Sequence, residues 1–270
     1  MKITFLGGGN MANALIGGML KQGFVAADIH VIDPGTDARA KLTEAYAVNC
    51  YASATESPSA PDVLLLAVKP QQMKDAVAPL VGRLGNAVVV SIAAGLDMAA
   101  LSRWLGGHRK IVRCMPNTPA LIGAGITGLC ALPEVSASER DAAERVLRAV
   151  GTTVWIADEA QMDGVTALSG SGPAYVFLFI EAMQQAAADL GFTPEQGRQL
   201  AIETVQGAAA LAAQSSEPAS VLRERVTSKG GTTEAALNTM ADMGVKAGIV
   251  AGVKAAQARG QELGKLLGAG

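Results

Sequence analysis

Two stretches of the chain combine glycine with small polar side chains in a way that could cradle an anion. The first is "ITFLGGGNMANAL", in which Gly7, Gly9 and Ala12 follow an apolar strand and open a helical pattern. Gly7 permits a tight turn, Gly9 lets a pyrophosphate approach the backbone, and Ala12 keeps the helix close to the sheet. The N–H groups of Asn10, Met11 and Ala12, at the helix start, would then point at the phosphates. The second is "RVTSKGGTTEAAL", residues 225–237, with two adjacent glycines and the hydroxyls of Thr227, Ser228, Thr232 and Thr233. A helix starting here would offer free N–H groups to a carboxylate or phosphate. A plain helix cap beside a glycine hinge would need the same residues.

Further candidates lie where apolar runs end. Asp33 closes a second strand, at the spacing of an acid that binds a ribose 2′-hydroxyl, which argues for NAD. The adjoining Thr36 and Arg39 could instead hold a 2′-phosphate, so NAD and NADP both stay open. "LLLAVKPQQM" places Ala67, Val68, Lys69 and Pro70 at the carboxyl end of a strand, where ligands bind in open α/β sheets. Lys69 could face a phosphate, or simply be solvated. "CMPNTPA" also follows a strand, and Asn117 there could bond a ribose or amide, or cap its own turn.

The elements that must position these residues alternate. "KITFL", "DIHVID", "DVLLLAV", "AVVVSIA" and "KIVRCM" read as strands, the later ones as the continuous apolar runs of a sheet buried on both faces. "GITGLCA" and "TTVWIA" are weaker. Helices are expected near 10–22, 71–83, 96–105 and 138–150. Repeated β-α-β spacing implies a Rossmann-type doubly wound sheet. After Trp155 the strands stop. A helix opening at Pro173 and ending at Gly191, one opening at the capping box Thr193-Pro194-Glu195-Gln196, and others near 218–226, 232 and 245 form an all-α half. The expected division is therefore 1–160, a dinucleotide-binding domain, and 161–270, a helical dimerisation and substrate-binding domain. The helix after Pro173 is apolar nearly all round, which calls for burial on all sides, as a central core helix or, the favoured reading, against a second subunit.

Composition excludes several classes. With 270 residues, half of them hydrophobic, and a net charge of −2, the chain does not attract nucleic acid or anionic lipid wholesale. Its three cysteines are widely spaced and its histidines number two, so neither a disulfide frame nor a metal site is expected. The glycines and asparagines near the start argue against a signal peptide. In "GVTALSGSGPAYVFLFIEAM" the Ser-Gly-Ser-Gly-Pro is expected to interrupt any membrane-length helix. A cytoplasmic protein is the expectation.

"FLGGGNMA", "AVKPQ", "RCMPNTPA", "GSGPAYVF" and "VTSKGGTTEAAL" occur in that order over essentially the whole chain. In this the sequence resembles the pyrroline-5-carboxylate reductases, "MPNTP" and "TSKGGTT" being the most specific marks. Lys229 departs from the resemblance, since many members have proline there. The resemblance implies NAD(P)H-dependent reduction of 1-pyrroline-5-carboxylate to L-proline, the last step of proline biosynthesis. It also implies helical dimers that assemble further, to decamers. It assigns the second cradle to the substrate carboxylate, through Ser228, Gly230, Gly231, Thr232 and Thr233, with the Thr233 hydroxyl near the ring nitrogen. In a dimer that cradle could belong to the opposite subunit. An imine is already electrophilic, so no strong acid–base pair is required. Two other readings remain open on the residues alone. A 3-hydroxyacid dehydrogenase-like reductase would need a lysine base, with Lys229, Lys246 and Lys254 as candidates. A non-catalytic NAD(P)-sensing protein would need no second cradle.

Overall fold

The computed structural model describes residues 1–268. Its first part alternates as expected: β1 (Ile3–Leu6), α1 (Asn10–Lys21), β2 (Ile29–Ile32), α2 (Thr36–Tyr46), β3 (Asn49–Tyr51), β4 (Val63–Leu66), α3 (Met73–Val77), β5 (Val88–Ser91), α4 (Met98–Trp104), β6 (Ile111–Met115), β7 (Gly125–Ala131), α5 (Ala137–Leu147) and β8 (Gly151–Trp155). The strands form one sheet in the order β3-β2-β1-β4-β5-β6-β7-β8. All neighbours run parallel except β6 and β7. The order reverses between β1 and β4, which creates the crevice at the carboxyl ends where doubly wound sheets bind nucleotides.

The apolar runs explain the sheet. Every residue of β1, β4 and β5 is buried, because helices cover both faces. One core layer packs Phe5, Leu15, Ile16, Val31, Leu65 and Val90. The other packs Leu64, Leu66, Met73, Val89 and Leu101.

Three local differences have physical causes. The helix expected over 71–83 is short, α3 being flanked by 3₁₀ turns at Pro70–Gln72 and Ala78–Leu80. Pro70 and Pro79 lack the N–H that a continuous helix needs. The helix α2 and the edge strand β3 add to the elements read from sequence. Only Leu42 of α2 is buried, and β3 has three half-buried residues, so neither leaves much pattern. Finally, Ser-Gly-Ser-Gly-Pro does not end the apolar helix. After α6 (Met162–Val165) the chain widens into a π-helical turn, Thr166–Gly170, and continues into α7 (Gly172–Asp189). By length and composition this helical stretch could cross a membrane.

The helices that follow are α8 (Pro194–Gln214), α9 (Ala219–Arg225), α10 (Thr232–Asp242) and α11 (Val245–Gly268). The box at Thr193 forms, its hydroxyl accepting from Gln196 N–H and the Gln196 side-chain Oε1 accepting from Thr193 N–H. By packing, the chain divides into two units, Met1–Ser171 with the chain from Ala256 onward, and Gly172–Ala255. The packing division is thus displaced from the compositional one at 160/161. The segment through α6 and the π turn lies against the strands, Val165 standing where a Cβ at Gly128 would come within 2.7 Å. The end of α11 returns to the first unit: Leu267 joins the core layer beneath α4, and the Arg103 guanidinium donates to the Gly268 carbonyl.

Candidate active site

Within the first unit, a cavity of about 700 Å³ opens at the β1/β4 crevice. Gly7, Gly9, Asp33, Ala67, Val68 and Lys69 line it. Gly7 has φ +101°, and a Cβ there would lie 2.7 Å from the Ala67 carbonyl oxygen. Both facts demand glycine, and they explain the close seat of the first turn against the strand-β4 loop. At Gly9 a Cβ would meet nothing within 4 Å. Gly9 is the N-cap of α1, no side chain caps it, and the first turn carries no acid. The free N–H groups and positive end of α1 therefore face open space, with Asn10 exposed, Met11 half-buried and Ala12 fully buried. This is a cradle that a pyrophosphate fits.

Asp33 has work of its own. Its Oδ2 accepts from Gly8 N–H at 2.7 Å, and its Oδ1 accepts from Gly35 N–H at 2.7 Å. The carboxylate ties the two nucleotide-facing loops together. Arg39 donates to the Asp33 carbonyl at 2.6 Å and to Thr36 Oγ1 at 3.4 Å. A guanidinium and a threonine hydroxyl thus meet at the start of α2, a donor set that suits a phosphate. The segment 52–55, not among the residues expected from sequence, also lines the cavity and brings Ser53 and Thr55 to it. The run "ASATESPS" was the available signal, but without β3 it had no place in the sheet.

Lys69 is exposed and precedes the 3₁₀ turn opened by Pro70. Asn117 is half-buried on the loop after β6. Its Oδ1 accepts from Ile126 N–H at 3.0 Å, and its Nδ2 lies 3.4 Å from the Ser169 carbonyl and 3.3 Å from the Ser169 hydroxyl. Three buried or half-buried thiols, Cys50, Cys114 and Cys130, are free. Burial pushes the Cys114 and Cys130 thiols above their ordinary range.

In the second unit the other cradle stands at the start of α10. Gly230 has φ +70°, and a Cβ on Gly231 would come within 3.0 Å of the Ser228 carbonyl oxygen. Gly231 is the N-cap, and no side chain caps the helix. Gly231 N–H turns back to the Ser228 carbonyl, and Gly230 N–H donates to Glu234 Oε2 at 2.7 Å. The N–H groups of Thr232 and Thr233 come next, in the first turn, where a helix has no internal acceptor to offer. Ser228 and Lys229 are exposed, and the Thr233 side chain is half-buried.

A doubly wound sheet with an uncapped glycine cradle at its switch point, followed by a helical unit, defines a dinucleotide-dependent oxidoreductase. The comparisons narrow this class. Residues 159–263 match the family model for pyrroline-5-carboxylate reductase dimerisation, and residues 2–95 match that for coenzyme F420-dependent NADP oxidoreductases. The chain is 46% identical to the pyrroline-5-carboxylate reductase of Pseudomonas aeruginosa, over 99% of this chain and 98% of the relative. It is 38% identical to the solved reductase of Coxiella burnetii, with a TM-score of 0.92 over 97% and 98% of the two chains. The pyrroline carboxylate reductase of Plasmodium falciparum, solved with NADP bound, is 28% identical with a TM-score of 0.86, over 98% of each chain. The chain belongs to the pyrroline-5-carboxylate reductase family.

Proposed function

We propose that this protein reduces 1-pyrroline-5-carboxylate to L-proline with NADPH, completing proline biosynthesis in the cytoplasm. The observation that carries this is a 46% likeness to a curated reductase along nearly the whole of both chains. Bound NADPH supplies the chemistry: a hydride passes to the imine carbon while a proton reaches the ring nitrogen, giving proline and NADP⁺.

The residues divide the remaining tasks. Gly7, Gly9, Asn10, Met11 and Ala12 receive the pyrophosphate on backbone N–H groups. Asp33 holds the loops and leaves Thr36 and Arg39 to meet a 2′-phosphate, which favours NADPH over NADH. Ala67, Val68, Lys69 and Pro70 border the same crevice, and Asn117 stands on the loop after β6, at the nicotinamide end. Ser228, Gly230, Gly231, Thr232 and Thr233 hold the substrate carboxylate at the N-terminus of α10. The Thr233 hydroxyl orients the imine nitrogen and is the catalytic contact. A threonine is a weak acid, so its contribution is alignment, with protonation coming from solvent.

Residues 161–270 serve as the dimerisation and substrate-binding domain, and dimers are the unit from which a decamer is built. A second subunit, rather than lipid, covers the exposed apolar side chains of α7. Nothing in the net charge of −2 calls for nucleic acid. Loss of absorbance at 340 nm, with NADPH and then NADH, tests the reading. Oxidation that depends on 1-pyrroline-5-carboxylate is expected, faster with NADPH. A folded, dimeric sample that stays silent with both cofactors would overturn it.

A further inference from the structure

We infer that Asn117 is a positioning residue: it pins the π-helical turn Thr166–Gly170 to the loop after β6, and so sets the surface at the nicotinamide end of the crevice without itself touching the cofactor. This rests on the cofactor reading above.

Pro173 is where the need arises. In an α-helical register the Ser169 carbonyl would accept from the N–H of residue 173, and proline has none. The helix widens by one residue here, Ser171 N–H bonding to the Thr166 carbonyl at 2.8 Å. The Ser169 carbonyl, deprived of its ordinary donor, faces Asn117 Nδ2 at 3.4 Å, and the Ser169 hydroxyl faces the same nitrogen at 3.3 Å. These contacts are long and individually weak. The carboxamide is fixed from its other end, where Oδ1 accepts from Ile126 N–H at 3.0 Å. One side chain therefore joins three backbone segments: the β6 loop, the start of β7 and the π turn. The turn is seated directly on the strand end, because a Cβ at Gly170 would come within 2.8 Å of Met115 Cε.

Position gives this pin a consequence for hydride transfer. Strands β1, β4, β5 and β6 are parallel, so their following loops share one edge of the sheet. From the switch point between β1 and β4, a dinucleotide extends one half toward β2 and the other toward β5 and β6. π turns concentrate at functional sites because they displace side chains and free backbone groups. A shift of about 1 Å at such a surface is enough to lower turnover by about 10²-fold while leaving remote contacts intact.

Three variants test the inference. Asn117→Asp keeps an acceptor for Ile126 N–H and removes the donor to Ser169, Asn117→Ala removes both, and Pro173→Ala returns an N–H to the Ser169 carbonyl. Amide hydrogen exchange is read first, on the cofactor-free protein. Asn117→Asp is expected to leave the segment around Ile126 protected and to speed exchange across 166–171 by about tenfold. NADPH Kd should change less than about threefold while kcat falls about tenfold or more, with an altered isotope effect from NADPH deuterated at the nicotinamide C4. Adding Pro173→Ala to Asn117→Asp should recover part of both losses. Unchanged exchange across 166–171 would overturn the inference. So would faster exchange with normal kcat, which is a purely structural role, or a tenfold weaker NADPH Kd with unchanged exchange, which is direct contact. If the wild-type protein does not oxidise NADPH with 1-pyrroline-5-carboxylate, the functional reading fails, and the exchange pattern still judges the pin.

Discussion

The α/β unit and the helical unit are built from similar proportions of apolar residues but bury them very differently. In the first, Ile3, Phe5, Leu15, Ile16, Met19, Leu64, Leu65 and Leu66 are all sealed from solvent or nearly so. In the second, the buried residues are Ala187, Gly197 and Ala201, where α7 and α8 meet. Phe177, Leu178, Leu190 and Leu211 are instead 59%, 66%, 76% and 60% exposed. Full burial of each such side chain is worth about 1.5–3 kcal/mol. The first unit carries its own core. The second has the material for a core but lacks the other half, and the match to a dimerisation family model says where that half comes from.

The strongest way to break this contrast is to charge the exposed face. The double variant Phe177→Asp, Leu178→Asp should abolish dimers in analytical ultracentrifugation, and the helical signal of the second unit should go with them. A stable, fully helical monomer would show that the unit stands alone. Next in size is Thr233→Val, expected to lower kcat by about 10²-fold, the scale for one lost hydrogen-bonding group at a reacting centre, with NADPH Kd unchanged. It sharpens the contrast by asking whether chemistry resides in the unit without a core. Arg39→Ala should reduce the NADPH/NADH ratio of kcat/KM by about tenfold, the value of one charge-assisted contact. An unaltered ratio would remove Arg39 from the ribose pocket.

The smallest effect concerns the first unit alone. Hydrogen bonds from Thr153 at 2.6 Å and Trp155 at 2.9 Å hold the Glu144 carboxyl below its ordinary range, burial opposing and Arg148 assisting. A depressed carboxylate stabilises the fold above its unfolded pKa, about 4.3, and loses that contribution as pH falls through the lower folded value. Glu144→Gln should therefore lower Tm by a few degrees at pH 7, and the gap to wild type should close below pH about 4. A gap that widens on acidification would contradict the sign.

Legibility in the sequence followed the same division. Buried parallel strands announced themselves as apolar runs, and capping chemistry at Thr193 placed α8 to the residue. Gly7 could be read because its turn demands glycine, and φ +101° there bears this out. Asp33 was legible as a residue of the site but not in its partners, since bonds to Gly8 and Gly35 N–H depend on how two loops meet. The Asn117–Ser169 link spans 52 positions, and no local pattern encodes it. The π turn was opaque for a related reason. Ser-Gly-Ser-Gly-Pro reads as a break, and the packing of Gly170 against Met115 that accompanies the widened helix leaves no mark in it.

The return of α11 to the first unit makes the helical segment Gly172–Ala255 an insertion within that unit. Leu267, itself half-buried, packs against a core layer whose other members lie between Leu6 and Val165. A Cβ on Gly264 would sit 3.3 Å from the Gly95 carbonyl oxygen, so this end of the helix docks closely. Chain on both sides of Gly172–Ala255 therefore packs into one unit, so the first unit draws on residues that follow the helical segment in sequence.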